Sequence, residues 1–201
     1  MVSEAPVSED VQLTDARTLR ALAHPMRLAI LEVLHAEGTA TPTECSQQVG
    51  ESPQACSYHL RALAKYGLVR RASSDDGRET RWELAATGFR FSPTTSSAPE
   101  YEAAAQALAT RVLERDDAIV NDYLAREHEL EDDWREAALV TSGSIHVTPD
   151  ELRELERRLL VLLGEYRRPA RADRPEGARR VHVVARAVPH LSTPKRRNER
   201  A

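Results

Sequence analysis

Between Pro53 and Tyr66, five polar side chains recur at helical spacing: Gln54, Tyr58, Arg61 and Lys65, with Ser57 beside them. Cys56, Leu60 and Leu63 occupy the complementary positions of the same helix, so the apolar set faces a core and the polar set faces out. An amide, a phenol, a hydroxyl and two cations on one exposed face suit the major groove of duplex DNA. Gln pairs with adenine and Arg with guanine, while Ser, Tyr and Lys hold phosphates or base edges. The helix start can itself face a phosphate. An ordinary solvated helix face would show many of the same residue types, so the neighbouring elements must decide. A second basic set, Arg70, Arg71, Arg78 and Arg81, lies just downstream around the acidic tip Asp75-Asp76-Gly77. Arg78, next to that tip, is the first choice there for a phosphate or minor-groove contact. The competing reading is a hairpin kept soluble by its charges.

The elements needed to position these residues are legible from turn and cap signals. A helix over about 13–23 is followed by Pro25, which opens a second with Met26, Ile30 and Leu34 at four-residue spacing and Gly38 as its stop. TPTE at 41–44 reads as a capping box with Pro42 at the first helical position, and Gly50 ends that short helix at about Val49. Ser52 and Pro53 repeat the signal and open the helix to about Tyr66, with Gly67 beyond it. A short helix, the three-residue turn GES and a longer helix form a helix-turn-helix unit. Two strand-like runs, 68–74 and 78–84, flank the Asp-Gly turn and read as a hairpin, that is, a wing. Trp82 and Leu84 alternate toward the helices.

These segments, AHPMRLAILEVLHAEG (23–38), TECSQQVGESPQACSYHLRALAKYGLVRR (43–71) and GRETRWEL (77–84), resemble the ArsR-type winged-helix repressors of prokaryotes. The resemblance spans about 12–90, under half the chain. It implies a homodimeric, operator-binding regulator whose recognition helix is 53–66, and it aligns Ser57, His59 and Leu60 with that family's SxHL core. His59 therefore joins the DNA-contact set with Gln54, Ser57, Tyr58, Arg61, Lys65, Arg78 and Arg81. Many such proteins sense metals, but this chain has one Cys and no CxC in the short helix. Cys45 and Cys56 both fall on inner faces and read as small buried hydrophobes, with metal binding or redox sensing as the alternative. No HxxxH spacing occurs. His24 precedes the proline helix start, Glu127-His128-Glu129 reads as solvated helix, and a zinc site at His128, His146 or His182 would need tertiary convergence. No metal or cofactor is expected.

The N-terminal domain is thus expected at 12–91 after a flexible 1–11. FSPTTSSAPE (91–100) is Ser/Thr/Pro-rich and reads as a linker, occupying 92–100 in the domain division. A dimerisation and effector region would occupy 101–190, and a disordered basic tail 191–201. Its first element is a long helical segment, about 100–138, whose stripe of Leu108, Val112, Ile119, Tyr123, Leu130 and Trp134 has too little chain around it to be covered from within. A second copy in a two-fold interface would cover part of it. SIHV (144–147) and VHVVARAV (181–188) are candidate strands flanking a helix that starts at TPDE (148–151), a β-helix-β unit able to complete the dimer or to hold an effector that no residue pattern identifies. The fold class is mainly α with a small β component (α+β).

Composition agrees with this division. The net charge of −4 splits into −2 over 1–92, −10 over 93–166 and +8 over 167–201, while 53–92 alone carries +3. An acidic middle repels DNA; the 53–92 stretch and the tail do not. No apolar run approaches the ~20 residues of a membrane helix, no signal peptide is expected, and two cysteines fit a reducing cytoplasm. Gly-rich phosphate loops, nucleophile elbows and HExxH are missing, so an enzyme is not expected. The partners expected are a double-stranded DNA operator and a second copy of the chain, with no membrane. A winged helix used only as a protein-interaction module is the alternative.

Overall fold

The computed structural model describes residues 11–73, 80–86, 88–92, 95–166 and 175–190. Among these the order is β1 (Val11–Gln12), α1 (Ala16–Leu22), α2 (Pro25–Glu37), β2 (Thr39–Ala40), α3 (Pro42–Val49), α4 (Pro53–Lys65), β3 (Val69–Arg71), β4 (Trp82–Leu84), β5 (Phe89–Arg90), α5 (Pro99–Arg126), a 3-10 turn (Glu127–Glu129), α6 (Asp132–Ala137) and α7 (Pro149–Tyr166). The architecture is mainly helical with two small sheets. No described helix is long and apolar enough to cross a membrane.

The helix boundaries follow from their caps. The Asp15 carboxylate accepts from the Thr18 N–H at 2.8 Å and opens α1. His24 Nδ1 accepts from the Met26 N–H at 3.2 Å ahead of Pro25. Thr41 and Glu44 form a complete capping box on α3, and the left-handed Gly50 (φ 73°) closes that helix. Ser52 Oγ accepts from the Ala55 N–H at 3.1 Å to start α4. Each cap satisfies helix-end groups that otherwise lack partners.

Strand β4 is the centre of a three-stranded antiparallel sheet, β2-β4-β3, with Ala40 opposite Trp82 and Arg70 opposite Glu83. The hairpin of β3 and β4 is the expected wing, extended by β2 from before α3. Its turn, with Asp75-Asp76-Gly77 and Arg78, lies outside the described residues, as do residues 1–10 of the expected flexible 1–11 (Val11 itself is in β1), the 191–201 tail and part of the loop after α7. A parallel pair, β1 and β5, ties the start of the domain to its end.

Leu19, Ile30, Leu34, Leu60, Leu63 and Leu68 form the centre of a core that α1 to α4 and the sheet share. That core crosses the expected boundary near residue 101. Tyr101, Ala104, Ala105 and Leu108 on the first turns of α5 belong to it, and Tyr101 Oη donates to the Leu13 carbonyl at 2.8 Å. Small residues at 104 and 105 let α5 lie close against α1.

Two expectations for the second half need correction. The long helix breaks after Arg126 into a 3-10 turn and a separate α6. The expected β-helix-β unit keeps its helix, α7, but neither 144–147 nor 181–188 forms a strand. Their valine and isoleucine alternation has the period of a strand; among the described residues neither segment has a ladder partner.

Candidate nucleic-acid interface

Helix α4 packs on α1, α2, α3 and β3. Cys56, Leu60 and Leu63 point into that packing and are fully buried. The 3.6-residue period then leaves Gln54, Tyr58, Arg61 and Lys65 outside, and all four are exposed, Tyr58 at 64%. The row runs the length of the helix, and no described residue of the chain's second half covers it.

The remaining expected contacts are distributed differently. Ser57 is half-buried and ties to Arg61, whose Nη2 donates to Ser57 Oγ at 2.9 Å and whose Nε donates to the Ser57 carbonyl at 3.2 Å. The guanidinium is folded back along its own helix, so reaching a base means exchanging two local bonds for new ones. His59 lies off the open row, half-buried with its ring 4.7 Å from that of His24. Burial first, then the neighbouring His24 and Arg27, hold its pKa below the ordinary histidine value. The Tyr58 ring meets His59 edge-on at 5.2 Å.

Arg81 is drawn inward. Its Nη2 donates to a Glu44 carboxylate oxygen at 2.8 Å and to the Thr39 carbonyl at 3.2 Å, and its Nε donates to Thr39 Oγ1 at 3.1 Å. Glu44 therefore does two jobs: it caps α3 by accepting from the Thr41 N–H at 3.0 Å, and it holds the wing's central strand to that helix. The second job had no sequence signal, because 37 residues separate the partners. Arg70 pairs with Glu83 at 2.6 Å across the hairpin, and Arg71 sits 6.0 Å over the Trp82 ring. Both remain exposed at the surface.

Cys45 and Cys56 are both fully buried in α3 and α4. Burial pushes the Cys45 thiol up to about 12 and raises that of Cys56 as well. A thiol held protonated is neither a nucleophile nor a ready metal ligand. Among the described residues, no group of three or more His, Cys, Asp or Glu side chains could hold a metal ion.

The residues expected at a dimer face divide. Leu108 is 1% exposed inside its own chain's core, so that core, not a second copy, covers it. Val112 packs against the edge of that core. Ile119, Tyr123, Leu130 and Trp134 are half-buried farther along, with Arg179 lying 5.2 Å over the Trp134 ring.

A family model described as a helix-turn-helix domain matches residues 22–72. The match runs from the end of α1 to just past β3, about a quarter of the chain. Residues 22–72 carry a helix-turn-helix domain. No curated protein matches the chain. Among solved structures, the chain is similar to the homodimeric winged helix-turn-helix DNA-binding domain of Mb0332 from Mycobacterium bovis, described as a possible ArsR-family transcriptional regulator. The identity is 25% over 51% of this chain and 78% of that one, with a TM-score of 0.33. It is also similar to a mutant of ZitR from Lactococcus lactis (18% identity, 72% and 83% covered, TM-score 0.31) and to wild-type MarR from E. coli (16%, 74% and 87%, 0.30).

Proposed function

We propose that the chain is a sequence-specific DNA-binding transcription regulator of the ArsR-like kind, a repressor that binds its operator as a homodimer in the cytoplasm. The observation that carries this reading is the open row on α4: four exposed side chains able to contact bases or phosphates, on a helix fixed from behind and capped at its start, with none of the described residues in front. In this reading Gln54 and Arg61 contact base edges, and Ser57, Tyr58 and Lys65 contact phosphates or bases. Arg78, outside the described residues, is assigned to the adjacent backbone or minor groove on its sequence position alone. Arg81 and His59 serve the interface by position: Arg81 fixes the wing against α3, and His59 fills the flank of α4 against His24. The acidic second half stands away from the phosphates, and a second copy places a second α4 on the next turn of the duplex.

Selection of binding sites from random duplexes, with each selected site titrated against salt, tests this. The expected result is a common site bound with an affinity that falls steeply with salt, because each phosphate contact releases counterions. A chain that binds no duplex at low salt overturns the reading and leaves a winged-helix protein-interaction module in its place.

A further inference from the structure

Past α6 the chain contains two segments without helix or strand, 138–148 and 178–190, on either side of α7. Among the described residues, neither 139–147 nor 179–190 makes a backbone-to-backbone hydrogen bond. Both are rich in β-branched residues that stand in the open: Ile145 at 67% and Val147 at 42% in the first, Val181 at 64% and Val183 at 56% in the second. Exposed apolar runs with free backbone donors and acceptors are templates for another strand.

The second segment is nevertheless anchored. His182 lies between Glu32 of α2 and Asp116 of α5, at 3.2 and 3.3 Å. Arg186 pairs with Asp116 and Asp117 at 3.2 and 3.1 Å, Arg180 donates to Gln48 Oε1 of α3 at 2.9 Å, and Arg179 pairs with Glu131 at 2.6 Å. The side chains of 182 and 186 thus hold one side of the segment to the chain's own helices. Val181 and Val183, at the alternate positions, face away.

We infer that residues 180–188 pair, strand to strand, with a second copy of this chain, the partner's 144–147 segment supplying the opposite strand. The inference rests on the homodimer reading above and gives it a structure. Three observations favour a second copy over any other occupant. The chain carries two strand-like segments of matching apolar character and joins neither to the other. The anchored side of 180–188 leaves its valine row free, so nothing further from its own chain is needed to hold it. The same half also exposes the apolar stripe of α7, where Leu155 and Leu162 are 41% and 52% exposed and which lies between the two segments in the chain. A two-fold operation joins segment to segment twice, and satisfies both sets of backbone groups with no other protein.

Hydrogen exchange on the full-length chain, read peptide by peptide against protein concentration, is the test, with sedimentation to give the mass. The amides of 180–188 and 144–147 are expected to gain protection together as the dimer forms, slowing at least tenfold. Val183→Pro and, separately, Val184→Pro remove donors from opposite strand edges. At least one is expected to weaken dimerisation at least tenfold while the unfolding midpoint of residues 11–112, followed by exchange in α2 and α4, stays unchanged. A dimer whose 180–188 amides stay unprotected overturns the inference, as does dimerisation unaffected by both proline variants. A monomer that still binds duplex through α4 overturns it and leaves DNA binding standing; a protected dimer that binds no duplex does the reverse.

Discussion

The stretch from Leu13 to Leu108 and the stretch from Leu113 to Pro189 are built from the same kinds of helix, yet only the first encloses a core. Every fully buried leucine and both cysteines lie in the first. Of the sixteen large hydrophobic residues exposed among the described residues, fourteen lie in the second. The second half is held by charge instead: Arg90 to Glu156, Arg115 to Glu32, Arg186 to Asp116 and a ladder of pairs along α7. Surface ion pairs contribute little to stability, while burial supplies the dominant favourable term. Capped helices therefore make a domain in one half and half of an interface in the other, according to whether their apolar stripes find cover within the chain.

The largest expected effect that sharpens this contrast comes from the core. Leu60→Ala empties a fully buried position of α4 and should lower stability by about 3 kcal/mol, read as a urea midpoint. Leu162→Ala on α7, half exposed, should change the midpoint of a dilute monomer by less than about 0.5 kcal/mol and weaken self-association instead. Equal losses at the two sites would abolish the distinction. Next, Glu44→Ala removes one half of the α3 capping box, leaving the Thr41 side-chain cap in place, and deprives Arg81 of its carboxylate; a loss of about 1 kcal/mol is expected from the two together. Arg81→Ala should cost less, and a double-mutant cycle should show coupling between the two.

A smaller effect is pH-dependent. The His59 pKa is lowered in the folded chain, chiefly by burial, so the unfolded state binds its proton more readily. The stability contributed by a neutral His59 is complete above the unfolded value, about 6.5, and is lost as pH falls through that value toward the folded one. His59→Gln should flatten the stability profile between pH 7 and 5; an unchanged slope would mean the ring is solvated. The smallest effect belongs to the second half. Glu154, whose pKa is drawn down to about 2 by Arg157 and Arg158, is half-exposed there with both arginines in solvent, and Glu154→Gln should leave the thermal midpoint nearly unmoved.

The N-terminal elements were readable because their signals are local. Thr41-Pro42-Thr43-Glu44, Ser52-Pro53 and the glycines at 38, 50 and 67 mark helix ends within a few residues of chain, and the period of Cys56, Leu60 and Leu63 fixes the outward row without tertiary knowledge. Two-residue strands such as β1 and β2 carry no periodicity to read. The partnership of Arg81 with Glu44 and the burial of Leu108 in the N-terminal core depend on contacts distant in sequence, so side chains assigned outward by type turned inward. Residues 181–188 alternate as a strand does, but alternation states a tendency and says nothing of where the other strand comes from.

The account depends most on the outward row of α4. Duplex affinity of Arg61→Ala beside that of Arg126→Ala, at one salt concentration and on a selected site, tests it directly. Loss of a bidentate base contact worth about 1–3 kcal/mol predicts that Arg61→Ala weakens binding roughly 5- to 150-fold, while Arg126→Ala, on α5 among Asp122 and Glu129, changes it less than about twofold. Equal effects of the two substitutions would contradict the assignment of α4 as the element that meets DNA.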